Sequence, residues 1–301
     1  MPDLQSQLIN LVNAGQVDAL RRENALAQDI ITAYDNARAD LLGRLAERWH
    51  LLLDDTATPA QIRQIATDIN LARAIEMRLA QLESELGAIV RPALTDIAQA
   101  AFGQAGDEVL LIANALGISL LPFAVDDLLE LTVAPAMEQI PGLIASLRSQ
   151  LIATLREQLA SGERFSVIVE AVYGGHSSIF ARGRSSAELM IRRAVVQAEN
   201  NARLLDYEQA QAQIPELQKQ VVAKIGEDTT ETCLNAHGQI QPLDKPFVIS
   251  GRPSFGPRQM APPFHWSCRT MAAPYHPIFE RTSSLTTPAM QAAAQAELNS
   301  R

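Results

Sequence analysis

Apolar residues recur at helical spacing over the first 90 residues, and this repeat constrains the fold more than any other feature. Between Val17 and Leu53 they return every three or four positions, which places them on one face of a long helix. Thr58 is a candidate N-cap and Pro59 a first helical residue for a second long helix. Its short heptad seam consists of Ile75, Leu79, Leu82, Leu86 and Ile89. Two long helices joined by a short turn predict an antiparallel hairpin over residues 1–103.

The middle of the chain predicts shorter helices. Gly103 and Gly106 are expected to end the hairpin, and residues 104–185 then show several short helical patterns typical of a small bundle. In one of them leucines recur at every fourth position from Leu143 to Leu155, and Gly162 follows as the expected terminating glycine. Another long helix is expected from about Ser186.

After Pro215 the helical periodicity ends, and the residue composition favours strands and loops. The run from Val221 to Ile225 predicts a strand, and "GQIQPLDKPFVISG" predicts two short strands around a Pro-Leu-Asp turn. From Gly251 onward the chain is rich in Pro and Gly, which is typical of loops. The sequence therefore predicts a mainly α protein with a small α+β C-terminal module at 186–280, followed by a weakly structured tail at 281–301.

Charge and hydropathy exclude two classes of function. The net charge of −9 argues against a protein whose main task is to coat nucleic acid, because that affinity comes from Lys and Arg at phosphates. Polar residues and Pro122 interrupt the apolar stretch at 109–125, which predicts a buried helix and turn without membrane insertion. The N-terminus lacks the basic and apolar regions of a secretory signal, so we expect a protein made in a cytoplasm.

Both cysteines have a histidine close by, in the patterns Cys233-x-x-x-His237 and His265-x-x-Cys268. Zinc favours four nitrogen or sulfur ligands supplied as two pairs on turns, so these four residues are candidate ligands of a structural zinc ion. Pro262 stiffens the approach to the second pair. Two alternatives stay open at this point: packed residues without a metal, or a disulfide between Cys233 and Cys268 formed in an oxidising medium.

An enzyme is a further alternative. Cys268 with His265 or His237 has the residue types of a thiol dyad, and a hydrolytic zinc site would need a base such as Glu231 or Asp244. The sequence contains no GxSxG, HExxH or Walker motif. We therefore expect no catalytic residues and a protein that is not an enzyme.

Residues from Ser186 to Pro277 resemble the head morphogenesis domain of tailed bacteriophages, the family of Mu F-like minor head proteins. The resemblance follows the order of four segments: the helix "AELMIRRAVVQAENNARLLDYEQAQ", the strand and Cys segment "KQVVAKIGEDTTETC", the turn "HGQIQPLDKPF" and the box "PPFHWSCRT". The chain departs from the commonest family pattern at His237, where many members have the second Cys of a CxxC, and at Thr270, where many have another cysteine. It also has Gln197-Ala198-Glu199 where Arg-Thr-Glu is common.

The resemblance implies a structural and assembly function. It implies a minor capsid protein of the virion that is present in several copies at the portal inside the head, after assembly in the host cytoplasm. It also implies that the protein binds the portal protein, with further contacts to major capsid or scaffold proteins and to packaged DNA, and supports head assembly, packaging and ejection. Two alternatives remain: a zinc-dependent or thiol-dependent enzyme carried on a phage head domain, and an acidic helical adaptor without a phage role.

Overall fold

The computed structural model describes residues 4–52, 58–65, 69–121, 126–175, 177–226, 229–279 and 288–299. The helices are α1 (Leu4–Leu52), α2 (Pro59–Ile65), α3 (Ile69–Leu116), α4 (Asp126–Met137), α5 (Gln139–Ser161), α6 (Phe165–Tyr173), α7 (Ile179–Gln211), α8 (Glu231–Ala236) and α9 (Pro288–Asn299), with a 3₁₀ turn at Pro277–Phe279. The strands are β1 (Gln218–Val222), β2 (Ile240–Pro242), β3 (Phe247–Val248), β4 (Arg258–Gln259) and β5 (Met271–Tyr275). These elements confirm the mainly α fold with a small α+β C-terminal module.

The chain divides into two compact units, each built from separate segments. The first comprises Met1–Asn24, Pro92–Pro135 and Ile191–Arg301, and the second comprises Ala25–Arg91 and Ala136–Met190. Each of the long helices α1, α3 and α7 contributes to both units. The four parts predicted from the sequence (1–103, 104–185, 186–280 and 281–301) are consecutive along the chain. Periodicity along a sequence does not show which halves of long helices pack together, so the prediction could only follow chain order.

In the second unit α1 and α3 pack as the hairpin that the sequence predicts. Arg78 of α3 lies 3.4 Å from the carboxylate of Asp40 on α1 and is itself buried. Four of the five seam residues, Ile75, Leu79, Leu82 and Leu86, are buried. Trp49 packs on Phe165, with 4.9 Å between the ring centroids, so it belongs to the core.

Gly162 terminates α5 in the way that the sequence predicts. Its φ of 75° lies in the left-handed region, and its N–H donates to the carbonyl of Leu159 at 3.1 Å. A Cβ at this position would stand 2.8 Å from the Cβ of Pro59 at the start of α2. Backbone conformation and close packing therefore both favour glycine here.

A buried ion pair lies at the centre of the first unit. Arg203 of α7 donates to Glu108 of α3 at 2.7 Å, and neither side chain is exposed. The hydroxyl of Tyr207 donates to the other oxygen of Glu108 at 2.9 Å, and Gln104 accepts from Arg203 at 3.1 Å. A Cβ on Gly15 of α1 would meet the Arg203 guanidinium at 2.5 Å, so this glycine lets α1 approach the pair.

Helix α3 continues past the glycines that were expected to end it. It runs through Gly103 and Gly106 to Leu116, and Gly117 follows with a φ of 71°. An interior glycine costs about 1 kcal/mol relative to alanine, which the burial of neighbours such as Val109 offsets.

In the described part of the chain no helix combines the length and apolar character needed to cross a membrane. Residues 122–125 of the apolar stretch lie outside the described residues.

The small sheet has the order β2-β1-β5, with both pairings antiparallel. The two short strands predicted around the Pro-Leu-Asp turn are present, but they do not pair with each other: β2 pairs with β1, and β3 pairs with β4.

Lys219 of β1 is fully buried. Its ammonium group donates to the carbonyls of Leu243 and Met260 at 2.9 and 2.8 Å, which ties the strand to both connections.

Asn200 of α7 fastens β5 to the helix. Its side-chain oxygen accepts from the N–H of Ala272 at 2.7 Å, and its amide donates to the carbonyl of Thr270 at 3.3 Å. Asn200 is fully buried. Because β5 follows directly after the second Cys/His pair, this contact also positions the loop that carries His265 and Cys268.

Candidate metal centre

Cys233 lies in the first turn and a half of the short helix α8. Thr230 is its N-cap: the threonine backbone is extended, and its hydroxyl accepts from the N–H of Cys233 at 3.4 Å. The sequence predicts a strand from Val221 to Ile225 before this cysteine and no helix at it. The structure has a helix there because a threonine three residues before the cysteine satisfies a free N–H of the first turn.

His265 and Cys268 lie in the loop between Pro263 and β5. The peptide bond between Pro262 and Pro263 is cis, and Phe264 is buried edge-on to Phe247 with ring centroids 6.4 Å apart. The N–H of Cys268 donates to the carbonyl of His265 at 3.2 Å, which closes a tight turn between the two residues. The thiols belong to a buried cluster with apolar residues in or next to β1, α8, β3 and this loop, which are Val221, Ala223, Ala236, Phe247, Ile249 and Phe264.

Three of the four predicted ligands meet at one point. The Cys233 sulfur lies 3.0 Å from Nε2 of His265 and 3.5 Å from the Cys268 sulfur, and all three donor atoms lie within 4.8 Å of one another. Two sulfur ligands of a tetrahedral metal stand about 3.8 Å apart, given metal–sulfur bonds of about 2.3 Å. The arrangement of Cys233, His265 and Cys268 therefore fits a metal with little rearrangement, and this cluster could hold one. Both cysteines are free thiols.

His237 does not join this group. It follows α8, and its Nδ1 accepts a hydrogen bond from the N–H of Ala223 at 3.1 Å. Because Nδ1 is an acceptor, the proton of the neutral ring is on Nε2, which is buried and has no partner. A metal would need the lone pair of Nε2. Burial also lowers the pKa of His237 to about 4, so the ring stays neutral and links the end of β1 to the end of α8.

The two thiols differ in acidity because they share hydrogen bonds. The bond to Cys268 and then burial raise the pKa of Cys233 above its usual range. Burial also opposes ionisation of Cys268, but hydrogen bonds from Cys233 and His265 outweigh it and hold the pKa of Cys268 well below its usual range. The hydrogen bonds therefore favour the thiolate of Cys268 over that of Cys233, and a thiolate is the form that binds metal.

A cavity of about 440 Å³ opens beside the cluster, and Cys233 and His265 line it. Cys268 does not line the cavity, and both cysteines are buried. The exposed cations Lys224 and Arg269 also line the cavity, together with the hydroxyl residues Thr229, Thr230, Ser267 and Thr270. No carboxylate is among its described lining residues, so the cavity has a cationic character.

Some residues of the site were not singled out from the sequence. Thr230 contacts Nε2 of His265 through its hydroxyl at 2.9 Å as well as capping α8, and the available signal is that threonine is one of the residue types preferred at an N-cap. Lys224 and Arg269 carry no local signal, because two single cations about forty residues apart have no recognisable pattern. Their proximity follows only from the pairing of β1 with β5.

Comparison with known proteins gives no assignment: no family model, curated protein or solved structure matches this chain.

Proposed function

We propose that this chain is a bacteriophage minor capsid protein of head morphogenesis, which binds the portal inside the head and supports assembly, DNA packaging and ejection. The observation that carries the proposal is that the four segments of the resemblance meet in one unit. Helix α7 from Ile191, β1, α8, the turn before β3 and the Pro-Pro box all belong to the first unit.

Contacts between these segments support a single module. Asn200 binds β5 on either side of Met271, and the hydroxyl of Tyr207 lies 3.3 Å from the carbonyl of Ala272. The ladder between β1 and β5 extends over five residue pairs from Gln218 with Tyr275 to Val222 with Met271. Helix, sheet and Cys/His loop are therefore held in fixed positions, as a docking element requires.

A surface suited to the portal contact lies on this module. The aromatic surface, made of Arg193, Phe255, Met260 and Trp266, has Met260 and Trp266 exposed to 41% and 45%. The Arg193 guanidinium lies 4.3 Å from the Phe255 ring centroid and 5.3 Å from that of Trp266. Trp and Arg are enriched among residues that dominate interface energies. Arg193 and the exposed Arg258 border a groove of about 270 Å³, so we expect its partner surface on the portal to be acidic.

Zinc is the metal that we propose for the cluster. Two thiolates and an imidazole are ligands that zinc prefers, and the two cysteines come from segments that are otherwise joined mainly by loops. A bound ion would cross-link α8 to the loop before β5. Elemental analysis should find about one zinc per chain, and chelation should make 233–270 sensitive to protease, because binding energy at such a site is folding energy. A metal-free protein with equal resistance contradicts the zinc proposal.

Portal binding is tested by co-purification with the portal protein of the same phage. Trp266→Ala removes the largest exposed side chain of the aromatic surface, and Leu131→Ala is the matched control, since Leu131 is 65% exposed on α4. We expect Trp266→Ala to weaken binding at least tenfold and Leu131→Ala to leave it unchanged, with equal metal content and circular dichroism in all three proteins. Absence of the chain from purified heads together with no portal binding by the wild type would overturn the proposed function.

One observation favours a thiol enzyme as the second candidate: Cys233 contacts His265 and both face a cavity. The acidities oppose it, because Cys233, which contacts His265 and lines the cavity, has a raised thiol pKa, and Cys268, whose pKa is lowered, does not line the cavity. Alkylation by iodoacetamide distinguishes the two. Slow labelling of both cysteines in the metal-loaded protein supports the structural site, and rapid labelling of Cys233 alone supports the enzyme.

A further inference from the structure

The cluster supplies three ligands, and zinc in proteins takes four. Among the described residues no further Cys, His, Asp or Glu joins Cys233, His265 and Cys268 within the same distance. His237 is the fourth ligand that the sequence predicts, but its Nδ1 accepts from Ala223 and its ring proton therefore lies on the nitrogen that a metal would need. A three-ligand set of this kind leaves one coordination position for a molecule from outside.

The approach to that position is on the cavity side. Cys233 and His265 line the cavity of about 440 Å³ and Cys268 does not, although both cysteines belong to the same buried apolar cluster. Thr230 stands at the same wall, with its hydroxyl 2.9 Å from Nε2 of His265. A small ligand that enters the cavity therefore reaches the metal on the face opposite the core.

The charges of the cavity select the chemistry of that ligand. A divalent metal with two thiolates has no net charge, so an anion as fourth ligand leaves one negative charge to be balanced. Lys224 and Arg269 line the cavity and form no ion pair within the described residues. The hydroxyls of Thr229, Thr230, Ser267 and Thr270 add donors for oxygen atoms. Between residues 218 and 279 six Lys and Arg stand against four Asp and Glu, although the whole chain has a net charge of −9.

We propose that a metal held by Cys233, His265 and Cys268 keeps its fourth position open to this cavity and binds an anionic oxygen ligand there, with Arg269 and Lys224 as its counter-charges. The ligand is a carboxylate or an inorganic oxyanion. This inference rests on the metal of the proposed function and adds to it a ligand site that a closed structural zinc would lack. A carboxylate of the portal protein and a free anion share this chemistry, and the experiment separates them.

The full chain loaded with Co²⁺ in place of zinc provides the test, since the visible spectrum of Co²⁺ reports its ligands. Acetate and phosphate are titrated separately, and we expect each to change the spectrum with a saturable curve. Arg269→Gln should weaken this anion binding about tenfold, because a charge-assisted hydrogen bond is lost. Arg252→Gln is the matched control, because Arg252 is an exposed arginine of the same module that does not line the cavity.

The outcomes are distinct. A Co²⁺ spectrum that responds to neither anion means that a protein ligand closes the site, which overturns this inference and leaves a structural metal in place. Failure of Co²⁺ to bind overturns both the inference and the metal, while portal co-purification is measured independently. An anion response equal in Arg269→Gln and wild type refutes the role of the cavity. Purified portal protein added in place of acetate changes the spectrum if the ligand is a partner carboxylate and leaves it unchanged if the ligand is a free anion.

Discussion

Replacement of Glu108 by glutamine should destabilise the first unit strongly. Glu108 and Arg203 are both fully buried, and the carboxylate also accepts from Tyr207. Glutamine keeps the shape and one oxygen but removes the negative charge, so the Arg203 guanidinium remains buried without its main counter-charge. Removal of one partner from a buried ion pair costs about 3–5 kcal/mol.

The structure places the expected loss at the lower end of this range. Glu199 lies 3.8 Å from Arg203, and burial raises its pKa to about 7, with a contribution from the charge of Glu108. When Glu108 is neutral that contribution disappears, Glu199 ionises more readily, and it replaces part of the lost attraction. We therefore expect Glu108→Gln to lower the free energy of unfolding by about 3 kcal/mol near neutral pH.

The two tryptophans allow this loss to be measured for one unit at a time. Trp49 belongs to the second unit and Trp266 to the first, so urea unfolding of a Trp49→Phe background followed by fluorescence reports on the first unit. Asp107→Asn, at the neighbouring exposed position of α3, is the control and should change stability by less than about 0.5 kcal/mol. A loss below about 1 kcal/mol for Glu108→Gln would refute the reasoning that water is excluded from the pair and that Arg203 needs the charge of Glu108 when buried.

Three further predictions concern pH, the histidines and the glycines. Because burial raises the pKa of Glu199 to about 7, the folded protein keeps a proton that the unfolded chain loses. The stability is therefore full below the ordinary carboxyl range and falls as pH rises through about 7, by at most roughly 3 kcal/mol. Burial also raises the pKa of Asp206 to about 7, so urea unfolding across pH should show a slope that Glu199→Gln reduces and that Glu199→Gln with Asp206→Asn reduces further. His265→Gln should weaken Co²⁺ binding at least 100-fold and His237→Gln by less than about tenfold, and equal losses in a metal titration would contradict the assignment of His265 alone. Gly15→Ala should lower the midpoint of urea unfolding, because the added Cβ would meet Arg203. Gly103 has open space around it, so Gly103→Ala should raise the stability by about 0.5–1 kcal/mol. A raised midpoint in both variants would refute the close approach of Gly15 to Arg203.

Local features of the fold could be predicted because their causes are local. The apolar repeat of α1 and the leucines of α5 indicate helices directly. Gly162 indicates the end of α5, because the left-handed conformation that ends a helix depends on the residue at that single position. Gly103 gave the wrong helix end, since the cost of a helical glycine is about 1 kcal/mol and distant packing decides the outcome. The assembly of each unit from halves of α1, α3 and α7 could not be predicted, because it depends on contacts between residues far apart in sequence.

The candidate site shows the same limit at the level of single atoms. Spacing identified Cys233, His265 and Cys268 as residues that could meet, since short chelating pairs are constrained by their own backbone. Spacing also predicted His237 as a ligand, but its side chain accepts a hydrogen bond from the backbone of Ala223 instead. The N–H of Ala223 at the end of β1 determines which ring nitrogen of His237 carries the proton, and that N–H is set by the sheet, fourteen residues away along the chain.

The tautomer of His237 connects the fold to the proposed chemistry. A closed tetrahedral site would need His237 as a fourth ligand beside Cys233, His265 and Cys268, and it would leave no position for another ligand. Because its Nδ1 accepts from the N–H of Ala223, the ring is held as part of the scaffold, and three of the four predicted ligands lie together. A substitution at position 223 that removes the N–H donor would therefore release His237. Ala223→Pro is the direct form of this change, and in a protein that still folds it should make the Co²⁺ spectrum insensitive to acetate, whereas a response that persists in Ala223→Pro and His237→Gln alike would show that His237 never competes for the metal.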